Sequence, residues 1–144
     1  MKYLTILFIL FASCAKSPEE VVVITETPYK ITKNISYNNV NFDVVIDKPA
    51  NNDVDVLIVY HGTVLYDDKI IDAANSVLET FKTILDRKDM MIVSVAYPEE
   101  NLLMGDNIIH AEAALLWVKH KADQELGIHV KKIFLGGHSQ GGYL

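Results

Sequence analysis

Residues 54–60 read VDVLIVY and residues 90–96 read MMIVSVA. Apolar runs this continuous leave no wet side, so each predicts a strand covered on both faces. Between them Ile70, Ile71, Ala74, Val77, Leu78, Phe81, Ile84 and Leu85 recur on one helical face. After the second run, Ile108, Ala111, Leu115, Val118 and Ala122 predict another helix. Asp106 is its expected N-cap and Gly127 its expected stop. Ile133, Phe134 and Leu135 predict a third short strand. The order β-α-β-α-β implies a parallel sheet joined by right-handed crossovers.

A different pattern precedes it. Residues 21–25, 29–37 and 40–46 are β-branched runs that predict three strands. Asn38 and Asn39 separate the last two, and adjacent asparagines tolerate the positive φ of a tight hairpin turn. Asn41, Asp43 and Val45 alternate with Phe42, Val44 and Ile46, which predicts one wetter face. Residues 47–53 read as a loop, and Trp117 as a core residue.

The N-terminus reads as an address. Residues 4–12 are apolar apart from Thr5, behind a short n-region carrying Lys2. Nine helical residues rise only about 13 Å, against a hydrocarbon core of roughly 30 Å. That predicts a signal h-region and no membrane span. It ends in Ala12, Ser13 and Cys14, and Cys14 is the one cysteine of the chain. Residues 10–14 resemble the lipobox of bacterial lipoproteins, which implies acylation of Cys14 after removal of 1–13. A secretory signal cleaved nearby, with a spare thiol, is the alternative. On the first reading 14–20 is a polar tether and 21–144 a domain, lipid-anchored in the bacterial cell envelope.

Charge narrows the partners. Lys and Arg number 13 against 19 Asp and Glu, a formal net charge of −6. No basic cluster suggests a nucleic-acid face, so no nucleic-acid partner is expected. One cysteine permits no intrachain disulfide.

Chemistry enters directly after the third strand, at GGHSQGG, residues 136–142. Gly137 to Gly141 matches G-x-S-x-G, a serine on a sharp strand-to-helix turn. The residues two before and two after it must be small, because a Cβ there would collide as the elements close. The helix start would aim backbone N–H groups at negative charge developing near Ser139. Tyr60, His61, Gly62 and Thr63 end the first buried strand, on the side where such a loop belongs.

The segment from about residue 54 to 144 resembles the N-terminal half of an α/β-hydrolase, and the leading hairpin fits that fold's antiparallel first strands. Within the family it is similar to dienelactone-hydrolase and prolyl-oligopeptidase-like members. The resemblance implies Ser139 as nucleophile and an oxyanion hole from the backbone N–H groups of Thr63 and Gln140. Gly62 then serves the oxyanion loop, and Gly137 and Gly141 the elbow. It implies a small ester, amide or peptide substrate and no cofactor.

The histidines are read with restraint. His138 abuts the serine, but neighbouring side chains on a turn diverge, so packing is the expected role. His61 is expected to shape the oxyanion loop. His110 and His120 share a helix, His129 falls in a loop, and none is assigned catalysis. No H-E-x-x-H spacing suggests zinc. Tyr97, Pro98, Glu99 and Glu100 follow the second buried strand, where loops line the mouth of open α/β sheets. They read as a solvated loop or a substrate contact.

In α/β-hydrolases the acid and then the histidine follow the serine. Here only Gln140, Gly141, Gly142, Tyr143 and Leu144 do. The expectation is therefore the front part of a longer serine hydrolase, without triad acid or base. The alternative is a non-catalytic, lipid-anchored binding or structural lipoprotein with a hydrolase-like front half.

Overall fold

The computed structural model describes residues 27–97 and 104–144. The strand expected at 21–25, the signal and Cys14 lie outside the described residues. So do Pro98, Glu99 and Glu100.

β1 (Tyr29–Tyr37) and β2 (Val40–Lys48) form an antiparallel hairpin, paired from Tyr29 opposite Lys48 to Tyr37 opposite Val40. Asn38 and Asn39 make the turn at φ 49° and 65°, the left-handed geometry that matches the twist of a tight hairpin. β3 (Asp53–Tyr60), β4 (Met91–Ala96) and β5 (His129–Gly137) complete a five-stranded sheet in the order β1-β2-β4-β3-β5. β3 runs parallel to both neighbours, and β2 runs antiparallel to β4. The sheet is thus mixed, with a parallel centre. Buried Lys48 holds the loop that feeds β3, donating to Asn52 Oδ1 at 2.8 Å and to the Pro49 carbonyl at 3.1 Å.

Alternate residues of the central strands feed two cores. Val54, Val56, Ile58 and Tyr60 of β3 join Met91, Val93 and Val95 of β4 in one. α2 (Met104–His120) and α3 (Ala122–Leu126) cover that face, with Trp117 fully buried. Leu57 and Val59 join Ile92 and Ala96 in the other, under Ile70, Ala74, Val77 and Leu78 of α1 (Ile70–Ile84). The runs at 54–60 and 90–96 are apolar but for Asp55 and Ser94 because both faces of each strand are covered, and buried Asp55 is paired with Arg87 at 2.7 Å.

Several sequence expectations shift. Val45, expected on the wetter face, is 1% exposed and packs in the α1 core. β2 lies between β1 and β4, and α1 covers the side that alternation alone would leave to water. Ile84 and Ile108 fall off their expected stripes and are exposed. The buried face of α2 runs instead through Asn107, Ala111, Ala114 and Val118. Its alanines let the helix lie close to the sheet, while Trp117 fills the remaining volume. α2 already includes Met104 and Gly105, so Asp106 stands within the helix and not at its cap. Gly127 (φ 62°) ends α3 after a break at Lys121, so the expected single helix is two. His129, expected in a loop, is the first residue of β5, where its N–H donates to the Asn52 carbonyl at 2.8 Å.

Candidate active site

β5 ends at Gly137, and the chain turns at once into a 3₁₀ helix, Ser139–Tyr143, in place of the α-helix start that the sequence suggests. His138 is still extended, and Ser139 has φ 54°. Such a backbone is costly for a serine and persists only where the surroundings fix it. They do so here. The His138 N–H donates to the Tyr60 carbonyl, and the Gly141 N–H donates to the His138 carbonyl, both at 3.0 Å. A Cβ on Gly137 would stand 2.0 Å from the Gly141 carbonyl oxygen. A Cβ on Gly141 would stand 2.3 Å from the Tyr60 carbonyl oxygen and 2.6 Å from that of His61. Both positions thus demand glycine, as the motif predicts. For Gly141, however, the obstacle is the end of β3 and not the strand that carries the serine.

The loop after β3 lies against this turn. A Cβ on Gly62 would meet the Ser139 Cβ at 3.1 Å. His61 is 3% exposed, and its Nδ1 lies 2.6 Å from the Gly62 carbonyl oxygen. A carbonyl only accepts, so Nδ1 carries the hydrogen and donates. Nε2 is buried without a hydrogen-bond partner among the described residues. Burial pulls the His61 pKa below its ordinary value of 6.5, against the opposing pull of the Gly62 bond. The ring rests on Tyr97, with centroids 4.4 Å apart at a 52° tilt. The Gly62 carbonyl and the Thr63 N–H are opposite edges of one planar trans peptide. Fixing the first edge therefore fixes the second. The Thr63 hydroxyl donates to Gln140 Oε1 at 2.9 Å.

Between the elbow and α1 opens a cleft of about 380 Å³. His61, Gly62, Thr63, His138 and Ser139 line it, together with Ala73, Ser76, Val77 and Thr80 of α1. Among the described residues the lining holds no carboxylate, lysine or arginine.

The architecture has solved counterparts. A thermostable esterase from Pseudomonas putida is similar at a TM-score of 0.60 and 22% identity, over 80% of this chain and 35% of that one. A hyperthermophilic esterase from the archaeon Pyrobaculum calidifontis gives 0.61 and 20%, over 82% and 37%. Est1E from Butyrivibrio proteoclasticus gives 0.53 and 18%, over 76% and 41%. The fold is that of the α/β-hydrolases. No family model and no curated protein matches the sequence. The chain spans about two-fifths or less of the length of these solved structures.

Against the α/β-hydrolase fold, the residues named from sequence fall as follows. Gly62, Thr63, Gly137, Ser139, Gln140 and Gly141 come together where β3 and β5 end side by side, Tyr60 pairing with Gly137. His138 is exposed beside Ser139 and lines the cleft. His110 and His120 stand on α2, and His129 is exposed at the start of β5, 3.8 Å from Asp123. Tyr97 is neither solvated nor at the surface: it is 3% exposed and supports His61. Ala73, Ser76 and Thr80 escaped the sequence reading, because small and polar residues beside an apolar stripe read as a solvent face. Among the described residues no group of three or more His, Cys, Asp or Glu is placed to hold a metal ion.

Proposed function

We propose that this chain carries the nucleophile half of a serine hydrolase that cleaves carboxylic ester or peptide bonds through an acyl-enzyme on Ser139. One observation carries the reading: a serine at φ 54°, held in that strain by two glycines with no room for a side chain, beside a cleft whose described lining carries no carboxylate, lysine or arginine. Ser139 Oγ adds to the substrate carbonyl carbon and gives up its proton to a base. On this reading the oxyanion so formed accepts hydrogen bonds from the Thr63 and Gln140 N–H groups. Collapse expels the alcohol or amine with a proton, and water then hydrolyses the acyl-enzyme. His61 is unsuited to be the base, since its Nδ1 serves Gly62 and burial disfavours its protonated form. On this reading the base and its orienting acid follow the serine, outside the segment. The similarity to solved esterases supports the fold portion of the reading.

A fluorophosphonate probe applied to the protein as its host makes it tests this. Labelling at Ser139, lost together with ester turnover in Ser139→Ala, is the expected result. An unlabelled serine, or unchanged turnover in Ser139→Ala, rejects the reading and favours a non-catalytic lipoprotein. We propose further that Cys14 is the lipidated N-terminus, anchoring the protein to the cell-envelope membrane through several acyl chains. Mass spectrometry of the N-terminal peptide checks this, and a mature start at another residue rejects it.

A further inference from the structure

β3 and β5 are adjacent and parallel, and Tyr60 pairs with Gly137 at their ends. Thr63 and Gln140 each stand three residues past that pair. At this end the His138 N–H donates to the Tyr60 carbonyl and ties the two strands. Beyond it the side chains of Thr63 and Gln140 join the loops, hydroxyl to carboxamide oxygen, across 77 positions of sequence. From this we infer that the Thr63–Gln140 side-chain bond is a latch that holds the two backbone amide donors of the oxyanion hole at a fixed separation. The inference rests on the serine-hydrolase reading for its catalytic role, though not for the existence of the latch.

A surface bond between neutral groups adds little to stability, because water competes for both partners. Its effect lies in geometry. The Thr63 peptide is already held from one side by His61 through the Gly62 carbonyl. The Gln140 peptide belongs to the strained 3₁₀ turn. The elbow rests on the end of β3 through Gly141 and on the neighbouring loop through Gly62, and the latch adds a directional side-chain bond between the two donor residues themselves. An oxyanion hole needs that relation, since two donors must reach one oxygen within hydrogen-bond distance. Both residues are therefore positioning residues through their side chains, distinct from the donor role of their backbones.

The test is a mutant cycle in the protein as its host makes it. Thr63→Val and Gln140→Met keep shape and remove the bond. Each is expected to lower kcat on p-nitrophenyl acetate severalfold, with KM little changed, because the two donors are then less well placed on the developing oxyanion. The double variant should be no slower than the slower single, and Thr63→Ser should recover most of what Thr63→Val loses. Losses that multiply, or a Thr63→Ser variant as impaired as Thr63→Val, overturn the latch. Amide hydrogen exchange gives a readout independent of turnover. Thr63→Val should speed exchange at the Gln140 amide, and Gln140→Met at the Thr63 amide. If neither effect crosses between loops, the latch is refuted whatever the activity. If both cross while the unmodified protein neither labels at Ser139 nor hydrolyses esters, the latch stands and the hydrolase reading falls.

Discussion

Gly141 rests on the carbonyl of Tyr60, so close that a methyl group there would stand 2.3 Å from the oxygen. Gly142, one residue on, would bring its Cβ no nearer than 3.6 Å to any such atom. Gly141→Ala should therefore cost about 2 kcal/mol or more, as overpacking against unyielding backbone does. Gly142→Ala should change stability by no more than about 0.5 kcal/mol. Urea denaturation of the two variants checks the contrast, and equal costs would refute it.

His61 should leave a mark on the pH dependence of stability. Its pKa in the fold lies below 6.5, so the unfolded chain takes up the proton first. Stability contributed by the neutral ring is complete above that ordinary value and falls as pH drops through it. Melting temperature followed between about pH 5 and 8 should decline on the acid side, and His61→Asn should flatten that decline. Equal slopes in both proteins would exclude His61 as the source.

Trp117 offers a test of the α2 core. It is fully buried, and its indole Nε1–H has no hydrogen-bond partner among the described residues. Trp117→Ala should cost about 3–5 kcal/mol through the cavity it leaves. Trp117→Phe should cost much less, because it also removes a buried donor that lacks a partner. Thermal or urea melts of the pair decide it.

The hairpin turn can be improved. Asn39 sits at φ 65°, where a residue bearing a Cβ is penalised by roughly 1–2 kcal/mol, less for asparagine than for most. Asn39→Gly should raise the melting temperature and Asn39→Val should lower it.

The succession of strands along the chain and the sharp turn at Ser139 were legible in the sequence because their signals are local. The apolar runs at 54–60 and 90–96, the paired asparagines, and the glycines flanking Ser139 each specify backbone conformation within a few residues. What escaped depended on which layers meet. Val45 looks solvent-facing until α1 is laid across β2. Ile108 looks buried until Asn107, Ala111 and Ala114 claim the face of α2. Tyr97 reads as the edge of a loop, and its part in seating His61 follows only from the packing of β4 beside β3. Ala73, Ser76 and Thr80 carry no sequence signal for the cleft, since small polar residues suit solvent and a substrate cavity equally.

The left-handed backbone at Ser139 has a consequence for engineering. Glycine would adopt φ 54° without penalty, and alanine would not. Ser139→Gly should therefore be more stable than either the parent or Ser139→Ala, by roughly 1–2 kcal/mol. Thermostability and the hydroxyl compete at this one position. A library of this chain selected only for survival of heat, with no assay for turnover, would drift to glycine at 139.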